Sequence, residues 1–203
     1  MHNKISAVLK ALERRSQLEK SRKIDVSKDQ RMLAITKETG VFFRDLLVSI
    51  KATQVLELGT SVGYSTLWFA QALSQDRKRS RIVTIEQNPQ KIKRAVRNFE
   101  RAGVLKMICI KQGKILDVLR GMQKRPRFDF VLIDADKENA KKYFDLVLPM
   151  TKIGGIIATD NMLYPEKYRR LMRNYARHIA KKPNVRTATF PFGNGEEITV
   201  RIW

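Results

Sequence analysis

The stretch VLELGTSVGYSTLWF, residues 55–69, determines the fold prediction. An apolar run that is typical of a buried strand ends at Leu58, a turn with glycines at positions 59 and 63 follows, and a helical pattern resumes at Tyr64. Glycines in such a strand-to-helix turn let the backbone approach a ligand closely. The spacing Gly-x-x-x-Gly differs from the dinucleotide fingerprint Gly-x-Gly-x-x-Gly. The stretch therefore predicts a strand, a ligand-binding loop and a helix.

A carboxylate, Glu57, lies two residues before the first glycine of this loop. A carboxylate about 5 Å from a pyrophosphate would cost on the order of 3 kcal/mol at an effective dielectric of 20, so the loop suits NAD poorly. S-adenosylmethionine carries an ammonium and a sulfonium, for which the same carboxylate is favourable. Glu86 ends the next predicted strand, where an acid can accept hydrogen bonds from both ribose hydroxyls. We predict cofactor roles for both glutamates; the alternative is that they are strand-end charges in water.

Alternating strand and helix patterns continue along the chain. Strands are predicted at 54–58, 81–86, 107–111, 128–134 and 155–160, and helices at 64–73, 89–102, 115–122, 138–148 and 166–181. This alternation is typical of a parallel sheet with helices on both faces. The segments VRTATFPF and EEITVRIW, separated by GNG, predict a final hairpin. The predicted fold class is α/β: a Rossmann-like, doubly wound, mostly parallel seven-stranded sheet with a C-terminal antiparallel hairpin.

Two helices are predicted ahead of this sheet. The apolar residues of the first recur at helical spacing: Ile5, Val8, Leu9 and Leu12. The second is predicted from a cap at Ser27 to Ile50. A chain of 203 residues has the length of one domain. We expect a single domain with N-terminal helices in residues 1–50 and a Rossmann-like core in residues 51–203. The apolar stripe of the helices fits a homodimer or packing within one subunit.

The chain is strongly basic, with 41 Lys and Arg against 20 Asp and Glu, a formal net charge of +21. Such an excess attracts anions, RNA phosphates included, although solvated helix faces also carry charge. No apolar run approaches the roughly 18 to 20 residues that a membrane span needs, and the N-terminus lacks a signal or transit pattern. We expect a cytoplasmic protein without membrane contact. The single cysteine, Cys109, excludes an internal disulfide and is predicted to be a buried small hydrophobe.

Polar side chains end two later strands. The segment FDFVLIDADKENAKKYFDLVLP places Asp134 at a strand end, and GGIIATDNMLYP places Asp160 and Asn161 at the next. Two carboxylates and an amide without His or Cys suit a hard cation such as Mg²⁺. Lys137 can reach the same point, and beside a dication its ammonium form is disfavoured, which makes it a candidate general base. The alternative is that the two aspartates cap helices.

Taken together with IEQNP at 85–89, these motifs resemble the metal-dependent O-methyltransferase family that includes catechol and caffeoyl-CoA O-methyltransferases. The resemblance runs from about residue 27 to the end. It implies an enzyme that uses S-adenosylmethionine and Mg²⁺ or another hard divalent cation, with Asp134, Asp160 and Asn161 as metal ligands and Lys137 as the base. It also implies the following cofactor-binding residues: Ile35, Glu57, Gly59, Thr60, Ser65, Glu86, Ile115 and Asp134.

The chain departs from the family pattern in two places. Ala140 replaces the first tyrosine of DADKxxYxxY, and Tyr164 with Pro165 replaces a tryptophan and a longer polar loop after DNML. The short loop predicts a more open acceptor pocket. A glutamate near the last hairpin contacts the acceptor in catechol enzymes. Glu197 is a candidate for its counterpart, and Glu196 or an ordinary hairpin charge are equal alternatives.

The resemblance leaves several functions open. The leading prediction is methylation of a catechol-like or related small-molecule hydroxyl. The alternative is a tRNA 5-hydroxyuridine O-methyltransferase of the same family, which the net charge and the short loop favour. A different class, a non-catalytic nucleic-acid-binding or scaffold domain, is disfavoured by the intact set of predicted ligands and base.

Overall fold

The structure, a computed structural model, describes residues 2–27, 29–76 and 79–203. Within these ranges seven strands form a sheet in the order β3-β2-β1-β4-β5-β7-β6. Their bounds are β1 Gln54–Leu58, β2 Arg81–Glu86, β3 Ile108–Gln112, β4 Phe128–Ile133, β5 Thr151–Asp160, β6 Val185–Phe190 and β7 Glu196–Arg201. Neighbouring strands among β1 to β5 are parallel, and β7 is antiparallel to β5 and to β6. The predicted mixed sheet with a C-terminal hairpin is confirmed.

Helices cover both faces of the sheet. Their bounds are α1 His2–Lys20, α2 Lys37–Ser49, α3 Tyr64–Ala72, α4 Pro89–Ala102, α5 Ile115–Gly121, α6 Ala140–Val147 and α7 Arg169–Ala180. One apolar cluster packs helices α1, α2, α3 and α4 against one face of the sheet. A second packs α5, α6 and α7 against the other face. Val55 and Leu56 of β1 belong to different clusters because successive strand residues point to opposite faces. Among the described helices, none has the length and apolar character of a membrane span.

The cap of the second helix lies nine residues later than the sequence predicts. Thr36, not Ser27, is its cap: the Thr36 hydroxyl accepts a hydrogen bond from the Thr39 amide at 3.1 Å. Residues 21–27 and 29–36 contain no helix. The amide of Met32 donates to Glu19 Oε2 at 2.7 Å, so a long-range contact holds this segment in a non-helical path. Tertiary contacts therefore override the local helix signal.

The prediction that Cys109 is buried is wrong, because its side chain is exposed. Cys109 lies on β3, the edge strand of the sheet. Its neighbours Ile108 and Ile110 pack against the cluster beneath α4, whereas Cys109 points to the opposite face. The short α5 contacts the neighbouring strand β2 on that face.

Candidate active site

Four acidic residues of the predicted site lie at the carboxyl ends of four adjacent parallel strands. Glu57 is the penultimate residue of β1, Glu86 ends β2, Asp134 follows β4 and Asp160 ends β5. In open α/β sheets this edge is where ligands bind. The fold therefore brings both predicted constellations to one edge.

The glycine loop after β1 is in direct contact with the strand end that carries Asp134. Gly59 has a φ of +102°, and a Cβ there would lie 2.1 Å from the backbone oxygen of Asp134. The Asp134 amide donates to the Leu58 oxygen at 3.0 Å, and the Gly59 amide donates to the Ile85 oxygen at 3.0 Å. Both the positive φ and the close approach require glycine at this position.

The carboxylate of Glu57 is fully buried beneath the loop. It accepts hydrogen bonds from the hydroxyls of Ser65 at 2.5 Å, Thr66 at 2.5 Å and Thr84 at 2.6 Å. The Thr60 hydroxyl lies 2.6 Å from that of Thr84. Because Thr84 gives its only hydroxyl proton to Glu57, Thr60 must donate to Thr84. Glu57 thus holds the loop through Thr60 and the first turn of α3 through Ser65 and Thr66.

Burial raises the pKa of Glu57 from its ordinary 4.5 to about 7. The three hydroxyl donors oppose this shift because they stabilise the charged form, and the charge of Asp134 adds to it. The folded state therefore binds this proton more tightly than the unfolded state does. Stability from this group is present at low pH and is lost as the pH rises from about 4.5 through about 7.

Replacing Glu57 with glutamine is expected to flatten the dependence of stability on pH. Wild-type protein should lose roughly 3 kcal/mol more unfolding free energy than the variant as the pH rises across this window. Urea unfolding of both proteins at about pH 5 and about pH 8 measures the difference. Glu100→Gln, which alters an exposed glutamate on α4, is the matched control and should behave like wild type. Equal losses in wild type and Glu57→Gln would contradict the assignment.

Glu86 is half-buried at the end of β2 and is held by the backbone around it. Its Oε2 accepts from the Ser61 amide at 2.9 Å, and its Oε1 accepts from the amides of Gln87 at 2.9 Å and Asn88 at 3.0 Å. Three backbone donors fix the orientation of the carboxylate and leave Oε2 able to accept a further hydrogen bond.

The two predicted isoleucines belong to opposite sides of the sheet. Ile35 lies directly before the cap of α2 and is 3% exposed within the cluster of α1 to α4. Ile115 begins α5 and packs against the other cluster. The structure places neither in a hydrogen-bonded contact with the carboxylates of the site.

The acceptor-side constellation forms at the ends of β4 and β5. Lys137 is buried, and its Nζ lies 3.5 Å from Asp134 Oδ1. Asp160 is 1% exposed and accepts from the Asn161 amide at 2.6 Å. Asn161 has a φ of +68°, a conformation that asparagine tolerates better than most residues. Burial, followed by the charge of Asp134, raises the pKa of Asp160 to about 7, while Lys137 opposes the shift.

The turn that carries Lys137 is held by Asp136. Asp136 Oδ1 accepts from the Asn139 amide at 3.1 Å and from Asn139 Nδ2 at 2.7 Å. The Tyr143 hydroxyl donates to Asp136 Oδ2. The tyrosine that the chain retains from the family pattern therefore anchors the turn, and Ala140 is buried beside it.

Glu196, not Glu197, is the hairpin glutamate that joins the site. Glu196 is fully buried and pairs with Asp160 across β5 and β7. Burial, followed by the charge of Asp160, raises its pKa to about 11. Glu197 points to the opposite face, where it accepts hydrogen bonds from the Thr187 hydroxyl at 2.5 Å and from the Thr189 hydroxyl. Three carboxylates, those of Asp134, Asp160 and Glu196, thus act on one another electrostatically.

Metal-binding clusters of three or more His, Cys, Asp and Glu side chains do not occur in residues 2–27, 29–76 and 79–203. The predicted ligand set has a different composition, with two carboxylates and the amide of Asn161. Oε2 of Glu196 is buried and receives no hydrogen bond from a hydroxyl or N–H donor of the described residues, but the Glu196 and Asp160 carboxyl groups are close enough to share a hydrogen bond.

Comparison with known proteins assigns the chain to a class. The sequence model of the O-methyltransferase family matches residues 8–202. The chain is 30% identical over 199 residues to caffeoyl-CoA O-methyltransferase 1 of Eucalyptus globulus. This alignment covers 89% of this chain and 80% of that protein. It is 35% identical over 133 residues to the catechol O-methyltransferase of Niastella koreensis, which covers 64% of this chain. The match spans 59% of that bacterial enzyme's length, less than two thirds.

A solved structure shares the fold over nearly the whole chain. The crystal structure of the O-methyltransferase from Bacillus cereus in complex with SAH superposes with a TM-score of 0.79 at 25% identity. The superposition covers 96% of this chain and 90% of that chain. The sheet order and the two helical layers are therefore those of a methyltransferase of this class.

Proposed function

The chain belongs to the O-methyltransferase family, and from this premise we propose that it transfers the methyl group of S-adenosylmethionine to a hydroxyl of a small acceptor with vicinal oxygens, of the catechol or caffeoyl-CoA type. The observation that carries the proposal is the group formed by Asp134, Lys137, Asp160 and Asn161 at the sheet edge. This group adjoins the glycine loop through the contact between Gly59 and the Asp134 backbone.

We propose that the methyl donor binds on the loop side of this contact. Glu86, oriented by three backbone amides, would accept the ribose hydroxyls. Because Glu57 is fully buried, it would act on the cofactor indirectly, by holding the glycine loop in place and through the electric field of its carboxylate. The other proposed cofactor residues are Gly59, Thr60, Ser65, Asp134, Ile35 and Ile115.

We propose that Mg²⁺ or another hard divalent cation is held by Asp134, Asp160 and Asn161. Two carboxylates and an amide oxygen have the chemistry that such ions prefer. Repulsion among the clustered carboxylates contributes to the raised pKa values of Asp160 and Glu196, and a dication relieves such repulsion. When bound, it would lower the pKa of the acceptor hydroxyl and restrict its position.

In the proposed reaction, Lys137 removes the proton of the acceptor hydroxyl. Its Nζ lies 3.5 Å from Asp134 Oδ1, which places the amine at the strand end where the acceptor hydroxyl would bind. The acceptor oxygen then forms a bond with the methyl carbon while the bond from carbon to sulfur breaks and S-adenosylhomocysteine leaves. The contact between the loop and Asp134 holds donor and acceptor sides at a fixed separation, so positioning supplies much of the rate enhancement.

A second candidate acceptor is an RNA hydroxyl, as in a tRNA 5-hydroxyuridine O-methyltransferase. The observation that favours it is the net charge of +21 together with the outer face of α7. Arg170, Arg173 and Arg177 are exposed on that face, and in the described part of the chain none of them forms an ion pair. Unpaired arginines on successive turns are suited to phosphate contacts.

One experiment separates the two acceptors. Labelled S-adenosylmethionine is supplied in separate assays with catechol, phenol or total tRNA. Phenol is the matched control because it lacks the second oxygen. We expect methylation of catechol, little or none of phenol, and a catechol rate that depends weakly on salt. Methylation of tRNA that falls steeply between about 50 and about 300 mM salt would support the RNA acceptor instead. No transfer to any of the three would contradict both proposals.

A further inference from the structure

Helix α2 reaches the residues beside Asp160 through a hydrogen bond from Thr39. The Thr39 hydroxyl, in the first turn of α2, donates to Glu196 Oε1 at 3.1 Å. Both residues are fully buried, and they are 157 positions apart in the sequence. Within the described residues Thr39 is the hydroxyl donor to the Glu196 side chain, and the Asp160 carboxyl group is its neighbour on the other side.

The direction of this hydrogen bond follows from the hydroxyls around it. The Thr36 hydroxyl accepts from the Thr39 amide at 3.1 Å and lies 3.0 Å from the Thr39 hydroxyl. Because the Thr39 proton goes to Glu196, the proton between the two hydroxyls belongs to Thr36. The helix cap is therefore the first member of a chain that runs from Thr36 to Thr39 to Glu196.

The hairpin before Glu196 is shaped to admit these hydroxyls. Gly193 has a φ of +60°, and a Cβ at this position would lie 2.2 Å from the Thr39 hydroxyl and 3.1 Å from the Thr36 hydroxyl. A side chain at this position would have to displace the Thr39 hydroxyl. The backbone of the hairpin and the cap of the helix thus meet because residue 193 is glycine.

We infer that Thr39 is a positioning residue for the acceptor side of the site. By binding Oε1, it fixes the rotamer of Glu196 and leaves Oε2 as the carboxyl oxygen that is available to Asp160 and to the acceptor. This inference rests on the proposed function. It gives the segment ahead of the Rossmann-like core a part in acceptor binding that its sequence does not reveal.

The test compares Thr39→Val, which keeps the shape and removes the hydroxyl, with Thr39→Ser, which keeps the hydroxyl. Thr39→Val is expected to lower kcat/KM for catechol about ten- to thirtyfold, the effect of losing a buried hydrogen bond to a carboxyl group. Thr39→Ser should stay close to wild type. The affinity for S-adenosylmethionine, measured by calorimetry, should change in neither variant, because the side-chain hydrogen bonds of Thr39 run to Thr36 and Glu196 and not to Glu86 or the glycine loop.

A double-mutant cycle separates positioning from a merely structural role. In a Glu196→Ala background, adding Thr39→Val should have no further effect on kcat/KM if Thr39 acts through Glu196. The inference would be overturned if Thr39→Val lowered kcat/KM equally with and without Glu196, or if Thr39→Ser were as impaired as Thr39→Val. Neither result would affect methyl transfer by the wild type. A wild-type protein that methylates no vicinal dihydroxy acceptor would overturn the proposed function, and this inference with it.

Discussion

Replacing Asp160 with asparagine is expected to lower methyl transfer by about three orders of magnitude, the rate equivalent of about 4 kcal/mol of lost transition-state stabilisation. Asp160 is 1% exposed, and Asn161 and Glu196 are its immediate partners. Asparagine keeps the shape and the acceptor for the Asn161 amide but removes the charge that a divalent cation requires. The affinity for S-adenosylmethionine should remain nearly unchanged. Initial rates with catechol and calorimetry of cofactor binding measure the two effects.

Two comparisons complete this test. Asp145→Asn removes the same charge from α6, where Asp145 pairs with His178 and Lys182, and should retain nearly wild-type turnover. In the wild type, EDTA should abolish turnover and added Mg²⁺ should restore it, while cofactor binding persists. Full wild-type activity in EDTA, or an Asp160→Asn enzyme of normal rate, would refute the proposed metal role.

Elements with strong local signals were predictable to the residue. Helix α4 begins where Asn88 caps the amides of Gln90 at 2.9 Å and Lys91 at 3.2 Å, and Pro89 occupies its first position. It ends at Gly103, whose φ of +69° completes the terminus. Cap, proline and glycine are all visible in the sequence and act within a few residues.

The start of α2 was not predictable because two residues can serve as its cap. Ser27 and Thr36 are both good N-caps, and local propensity does not choose between them. The choice is made by contacts with distant parts of the chain, such as the hydrogen bond from Arg94 Nη1 to the Gln30 oxygen at 2.6 Å. Such contacts exist only after α4 and the N-terminal segment have packed together.

The candidate site likewise has residues that the sequence predicts and residues that depend on tertiary packing. Strand ends fix the places of Glu57, Glu86, Asp134 and Asp160, so the sequence predicts which carboxylates share an edge. It does not decide between Glu196 and Glu197, because a shift of one residue in the hairpin register exchanges the two faces of β7. The observed pairing of Asp160 with Glu196 decides it. The hydrogen bonds from Thr84 to Glu57 and from Thr39 to Glu196 were likewise not predictable, because they depend on tertiary packing.

Replacing Lys137 with methionine is expected to lower kcat by about 10² to 10⁴, the range for loss of a positioned general base. Methionine preserves most of the buried hydrocarbon, and cofactor affinity and the KM for catechol should change little, because the amine acts on the proton that leaves in the transition state. Single-turnover rates measure the chemical step directly. Lys141→Met, on the exposed side of α6, is the matched control and should match wild type.

Lys137→Arg tells a base from a fixed positive charge. Lys137 Nζ lies 3.5 Å from Asp134 Oδ1 and its charge also acts on Asp160, so the alternative to a base is a fixed positive charge that balances these carboxylates. An arginine would supply the same charge but remains protonated and cannot accept the acceptor's proton. We therefore expect Lys137→Arg to be as impaired as Lys137→Met. Wild-type turnover in the arginine variant would assign Lys137 an electrostatic role and leave the removal of the acceptor proton to solvent or to a neighbouring carboxylate.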